Sequence, residues 1–322
     1  MNMEETAQGD VLSEIRAEGL RHWLFQDTMD GLRRRRALLG YLFILPTLLG
    51  IFIFLAGPVF VSFGLSLYKW NIFKPPDYAE LANFQRLLRD TRVATSFVNT
   101  LKFAVGAVSL QIAVGLFLAL IVHRITHSLT RYYFRTAFFM PLLMSGASVA
   151  IFMGYIFHKE FGALNYYLTL VGFPQIPWLT SGDWVLITII LTSVWRNMGF
   201  TFVLFLGGLS NVSSEILDAA DVDGAQGFRR LRYITIPLLS PSILFAAVTG
   251  VIGALQVFEE AFIMTRGGPG DKSRTMVMIM YETAFANIEF GYGSAIALVL
   301  FLIILAVTLV QMWMSRRWVF YQ

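Results

Sequence analysis

The residues able to do chemistry are few and unevenly placed. There is no cysteine among the 322 residues, which excludes disulfides, thiolate zinc sites, iron–sulfur clusters and a cysteine nucleophile. The four histidines, His22, His123, His127 and His158, are too scattered to suggest a metal site. Neither a Ser/His/Asp set nor a His-Glu-x-x-His motif is visible. Gly267-Gly-Pro-Gly-Asp-Lys-Ser273 superficially resembles a phosphate-cradling loop, but such a loop needs glycine directly before its lysine. Asp271 stands there and would repel phosphate, and Pro269 removes a backbone donor. What remains is an acidic stretch with Glu215, Asp218 and Asp223, an isolated Arg196 beside Asn197, and the group Gln256, Glu259 and Glu260. No catalytic set emerges, so the chain reads as a non-enzyme without a metal site.

These residues sit in an unusually apolar chain. Hydrophobic residues make up 56% and charged ones 14%, against about 45–50% and about 25% in soluble proteins. Mean hydropathy is +0.63. Six stretches, 38–67, 103–122, 136–157, 184–209, 238–258 and 291–314, hold a single charge, Arg196, where an even spread would place about 20. Each reaches the roughly 20 residues a helix needs to cross a bilayer. Backbone polar groups cannot go unpaired in lipid, and strict alternation is absent, so helices are expected rather than a barrel. The expected fold class is all-α: a polytopic membrane protein with six transmembrane helices. An ordinary soluble enzyme, a disordered tail and a disulfide scaffold are excluded.

The net charge of +4 suits anionic headgroups at the span edges better than nucleic acid. Residues 1–30 lack the apolar core of a signal peptide, so 38–67 is expected to be a retained first helix. The Arg33–Arg36 block beside it places the N-terminus in the cytoplasm, and six spans return the C-terminus there. The organisation expected is a tail, 1–37, then a six-helix transmembrane domain, 38–322, with a cytoplasmic loop at 211–237. Residues 11–32 read either as an amphipathic surface helix carrying Val11, Ile15, Trp23, Leu24 and Leu32, or as a frayed tail. Trp70, Trp178, Trp184, Trp313 and Trp318 fall at span ends, as interfacial tryptophans do.

The loop between the fourth and fifth spans carries the strongest local signal. Ser213 or Ser214 can cap a short helix, and Glu215 sits in its first turn, where negative charge suits the dipole. Ile216, Leu217, Ala219, Ala220 and Val222 give it an apolar side. Gly224 suits the position just past its end, where φ is often positive. Arg229, Arg230 and Arg232 follow before Pro237 and the next span. Small residues on such a helix let another protein's surface come close.

This loop resembles the "EAA" loop of the inner-membrane permease subunits of binding-protein-dependent ABC importers. That pattern reads Glu-Ala-Ala, three residues, Gly, nine residues, Ile-x-Leu-Pro. Here it falls on Asp218-Ala219-Ala220, Gly224 and Ile234-Thr235-Ile236-Pro237. Asp218 replaces Glu and Ile236 replaces Leu. Further segments are similar to the sugar-importer branch: Tyr41–Pro46, Leu81-Ala-Asn-Phe84, Asn99-Thr100, Arg135–Pro141, Phe161-Gly-Ala-Leu-Asn165, Trp195–Phe200, Leu206–Leu209, Gly253–Phe258 and Gly267-Gly-Pro269. The ending Arg316-Arg-Trp-Val-Phe320 resembles the maltose-transporter first permease type.

The resemblance implies a type I importer permease in a bacterial or archaeal cytoplasmic membrane. It implies a second homologous permease subunit, two cytoplasmic ATPase subunits that bind ATP–Mg, and an extracytoplasmic solute-binding protein. The substrate implied is a carbohydrate: a di- or oligosaccharide, or a related polyol or glycerol phosphate. Glu215, Asp218, Ala219, Ala220, Asp223 and Gly224 would couple to the ATPase. Within the spans, a central arginine costs about 2.5–3.5 kcal/mol on insertion scales, so Arg196 should face protein or water. It reads as a pore or subunit-interface residue, or else as a structural one, either near the membrane interface on a helix displaced along the normal or paired. Arg196, Asn197, Gln256 and Glu259 are the substrate-path residues expected, with Phe258 or Phe262 as an aromatic face for a sugar. The competing reading is a stand-alone ion-coupled carrier, which would need carboxylates at span centres.

Overall fold

The computed structural model describes residues 29–320, so 11–28 of the amphipathic stretch lie outside the described residues. The chain divides into two units, 1–61 and 62–322. In the first, helix α1 (Met29–Ile51) holds Pro46 within it and passes into a π-helical turn, Phe52–Ala56. Helix α2 (Gly57–Leu65) leads on into the second unit.

Among the described residues, four helices are long and apolar enough to cross a membrane: residues 32–65, α4 (Thr91–His123), α8 (Val185–Ser210) and α15 (Phe290–Ser315). Two bent pairs raise the number to as many as six, if each is one span. Strands are confined, among the described residues, to one antiparallel pair, β1 (Tyr68–Lys69) with β2 (Asp77–Tyr78), followed by α3 (Ala82–Arg89).

The stretch 136–157 is not one straight helix. Pro141 lacks an N–H, and α5 (Ser128–Phe139) gives way to a 3₁₀ turn, Met140–Leu143. Ser145 then caps a new helix, α6 (Gly146–Ile156), its hydroxyl accepting the Ser148 N–H at 3.2 Å. The two halves are bent by 101°. The next such pair bends by 67° where α12 (Ser240–Leu255) begins, with Pro241 in its first turn. The stretch expected to start at 103 starts at Thr91, because the Asp90 carboxylate caps it by accepting the N–H groups of Arg92 and Val93.

The core is α4 against α8. Small residues permit the approach: a Cβ on Gly115 would lie 2.2 Å from Thr201 Oγ1 and one on Gly106 2.9 Å from Ile190 Cδ1, while Gly199 lets α5 meet α8, since a Cβ there would lie 2.4 Å from the Phe138 carbonyl. Phe103, Ala107, Val185, Ile189 and Leu255 fill one buried cluster, and Ala119, Phe202, Phe205 and Leu239 another.

Several residues that carry the family resemblance prove to be polar staples between elements. Asn83 donates to the Ser66 and Tyr68 carbonyls at 2.8 and 2.9 Å. Asn99 donates to the carbonyls of Asp271 and Arg274, and Thr100 accepts the Met276 N–H at 2.9 Å. Asn165, on α7 (Ala163–Leu170), donates to the Lys159 and Ile176 carbonyls. Its Oδ1 accepts from Ile176 N–H and Trp178 Nε1. Trp178 is therefore not an interfacial tryptophan; it is buried, edge-on to Phe157 and Trp184.

The 267–273 loop is clasped to the start of α4. Arg92 contacts Asp271 at 3.3 Å and Glu282 at 3.4 Å, and Arg274 contacts Asp271 at 2.6 Å and also Glu282. Partial burial works against ionisation of Asp271, but the Arg274 hydrogen bond and the charges of Arg274 and Arg92 outweigh it and hold the carboxyl below its ordinary range. A lowered folded value means that the contribution of Asp271 to stability is present above the unfolded value, about 3.9. It is lost as pH falls through the folded value.

Two outcomes follow. Thermal unfolding of the purified protein should show no contribution from Asp271→Asn to the pH dependence between pH 5 and 8. Asn165→Ala should lower stability by about 2–4 kcal/mol, because it strands the Trp178 N–H and the Ile176 backbone groups, each worth about 1–3 kcal/mol. Thermal melts and the yield of monodisperse protein measure it.

Candidate functional site

The loop helix, α9 (Ser214–Val222), is closed at both ends by its own sequence. The Ser213 hydroxyl accepts the Glu215 N–H at 3.2 Å. At the far end Gly224 has φ +72°, a conformation that glycine adopts without strain. Its N–H donates to Asp221 O, and the Ala225 N–H donates to Ala220 O at 2.8 Å, a paired C-terminal closure. Arg230, on the short helix α10 (Gly227–Arg230), donates to both Asp221 carboxylate oxygens at 3.0 and 3.2 Å. This contact ties α9 to the chain that restarts toward α12.

The faces of α9 differ from the single apolar side expected. Ala220 is buried, whereas Glu215, Ile216, Asp218, Ala219 and Asp223 are exposed and Val222 is 89% exposed. Helix phase relative to the body decides this, and the phase is not legible in the local sequence. The outward face therefore offers a small residue and an apolar one, flanked by acids.

The second candidate site lies where the two bent pairs meet α8. A cleft of about 460 Å³ is lined by Gln111, Ser193, Arg196, Asn197, Phe200, Thr249, Gln256, Phe258, Glu259 and Glu260 with apolar neighbours. Helix α13 (Glu259–Thr265) starts after a break at Gln256–Phe258 and places both glutamates in its first turn. Arg196 Nη1 lies 3.5 Å from Glu259 Oε2 and 3.5 Å from Glu260 Oε1. Glu260 is buried and Glu259 half-exposed, while Arg196 Nε is buried with no acceptor among the described residues. Arg196 is thus both ion-paired and cleft-lining. All four expected substrate-path residues, Arg196, Asn197, Gln256 and Glu259, come together here. Phe258 lines the cleft, stacked on Phe262 with ring centres 5.0 Å apart.

Gly146 was not legible as a site residue. It is the first residue of α6, and a Cβ there would lie 1.5 Å from Glu259 Oε2 and 2.6 Å from Arg196 Nη1. The local signal is no more than a Ser-Gly step after a proline. Glycine at this corner lets the ion pair pack against the elbow of the bent pair. Among the described residues no group of His, Asp and Glu could hold a metal ion.

Fold and sites together define a polytopic transport component. Residues 111–319 match the family of the binding-protein-dependent transport system inner membrane component. The chain belongs to this family: it is a multi-pass inner-membrane permease subunit of a binding-protein-dependent ABC importer, and not an enzyme. The chain is 30% identical to the trehalose/maltose transport system permease protein of Thermococcus litoralis, over 88% of this chain and 96% of that one. It is also 30% identical to the lactose transport system permease protein of Rhizobium radiobacter, over 89% and 97%. A crystal structure of a bacterial ABC transporter that imports alginate has a chain that superposes with TM-score 0.77 at 23% identity, covering 88% of this chain and 96% of that one, a shared fold. Family membership displaces the stand-alone ion-coupled carrier.

Arg196→Met should destabilise the protein by about 1–3 kcal/mol, less than a fully buried pair because the arginine is partly exposed. Adding Glu260→Gln should restore part of that loss, so the double variant melts above the sum of the singles. Gly146→Ala should cut uptake about tenfold while the chain still reaches the membrane, read by transport assay and immunoblot.

Proposed function

We propose that this chain forms half of the pore of an ATP-driven carbohydrate importer, with α9 as the element that docks on an ATPase subunit. The observation that carries the coupling role is the doubly capped helix whose exposed face presents Ala219 and Val222, flanked by Asp218 and Asp223. An apolar patch rimmed by charge, on a short rigid helix, suits a protein groove. Two ATPase subunits would bind ATP–Mg and carry out hydrolysis; this chain would supply no catalytic group. A second homologous permease would complete the pore, and a solute-binding protein would deliver substrate on the outer side. Both termini and α9 would face the cytoplasm.

The path of force runs through residues. Movement of α9 is passed by the Asp221–Arg230 pair to α10, then through a π-helical turn, Leu231–Thr235, and across the 67° bend into α12. α12 carries Thr249, Gly250 and Gly253 into the cleft and ends at Leu255, just before Gln256. Closing of the ATPases would therefore reshape the cleft wall and alternate its access.

The cleft suits a hydroxyl-rich ligand. The Asn197 and Gln256 amides and the Ser193 and Thr249 hydroxyls offer donors and acceptors, and the rings of Phe200 and Phe258 offer apolar faces. The named substrates of the relatives, trehalose or maltose and lactose, fit this chemistry.

Ala219→Arg, on the exposed face, should abolish uptake with the protein still in the membrane. Gly224→Asp should do likewise, since an L-residue strains the left-handed closure and a charge is added there. Ala220→Arg should instead reduce the amount of folded protein, because Ala220 points inward. Normal transport rates in both Ala219→Arg and Gly224→Asp would sink the coupling assignment.

A further inference from the structure

A second cleft, of about 570 Å³, lies behind the loop helix, where α4 and α8 end. Its walls are apolar at Leu120, Leu209 and Leu231, and Phe228 at its side is 74% exposed. Its polar groups are cationic or neutral: Arg124, Arg230, His123 and Thr235 line it, and among the described residues no carboxylate does. Arg131 is spent on the turn after α4, its guanidinium donating to the Ile125 carbonyl. Arg124 has no ion-pair partner among the described residues. Arg230 engages Asp221 through Nη1 alone, which leaves its other nitrogens for a second anion.

We infer that this cleft binds the headgroup of an anionic phospholipid of the phosphatidylglycerol type, with Arg124 and Arg230 on the phosphodiester and an acyl chain along Leu231 and Phe228. Three features select this occupant. The cleft sits at the ends of two membrane-length helices, which is the height of the headgroups. It pairs guanidinium groups, the side chains best suited to phosphate oxygens, with an apolar wall that a free phosphate could not use. Basic pockets between membrane helices on the cytoplasmic side are sites for acidic lipid headgroups.

The inference rests on the cytoplasmic orientation proposed above, and it gives that orientation a consequence. A phosphodiester on Arg230 draws on the guanidinium that holds Asp221 of the loop helix. The position of α9, and so the coupling of ATP hydrolysis to transport, becomes sensitive to the charge of the inner leaflet.

The test uses the whole importer, both permeases with the ATPases, reconstituted in bilayer discs of phosphatidylcholine mixed with phosphatidylglycerol. Native mass spectrometry after extraction counts retained lipid. The unmodified complex should keep phosphatidylglycerol in preference to phosphatidylcholine. Arg124→Gln should lower that retention about tenfold, and Arg124→Lys should restore most of it. Val212→Trp, which fills the cleft and keeps every cation, should lose the lipid as well. Unchanged retention in Arg124→Gln would overturn the site. So would retention intact in Val212→Trp, since the cations would then act only as surface charge. Displacement of the lipid by millimolar inorganic phosphate would show a free-anion site and overturn the lipid assignment. Retention is read without transport: if Gly224→Asp left uptake normal, the coupling role would fall while the lipid count still decided this site.

Discussion

The charge of Arg196, set in the middle of an apolar helix, is the constraint around which the rest is arranged. An unpaired guanidinium there would be costly, so two carboxylates are brought to within 3.5 Å of it from sequence positions more than sixty residues away. Bringing them requires the fifth stretch to break after Leu255 and restart at Glu259. It also requires the elbow between α5 and α6 to carry glycine at 146, because a side chain there would occupy the place of Glu259 Oε2. Three interrupted or charged elements thus share one ion-pair cluster. The irregular backbone that lipid forbids is tolerated because it lines a polar cleft.

Around that cluster the molecule separates rigid parts from movable ones. The α4–α8 contact is tight and small-residue based, and the clasp of Arg92, Asp271, Arg274 and Glu282 fixes the far end of α4 to the 267–273 loop. On the other side, α9 hangs between the end of α8 and the bend before α12, joined by the Asp221–Arg230 pair. One end is pinned through buried asparagines and threonine. The other is held by an exposed ion pair, a bond weak enough to be remade when a partner pulls. That asymmetry fits the proposed function, in which a partner moves α9 while the cleft lies beyond the bend before α12.

Much of this was legible in the sequence, for definite reasons. Membrane character rests on composition, which needs no tertiary knowledge. The two caps of α9, Ser213 and Gly224, are local signals, and they sit where local chemistry puts them. The family pattern was legible in the loop. What was not legible depends on distant partners or on helix phase. Ala219 and Ala220 are neighbours of one type, yet one is exposed and the other buried. Trp178 looks interfacial until Asn165 takes its N–H. Pro141 marks an interruption, but a bend of 101° and its ion-pair cargo at Gly146 follow only from the packing. Asn83, Asn99 and Asn165 stand in the resemblance motifs, but that they staple distant backbone segments follows only from the packing.

The absence of cysteine makes the central claim directly measurable, because any introduced thiol is unique in the chain. In the assembled importer, Ala219→Cys should form a disulfide or short bifunctional cross-link with a single cysteine placed in the groove of the ATPase subunit. Its yield should change when ATP is added without hydrolysis. Leu88→Cys, highly exposed on α3 just before the start of α4, should give no such product. If Ala219→Cys failed to cross-link to the ATPase while remaining reactive to soluble thiol reagents, the loop helix would not be the coupling element.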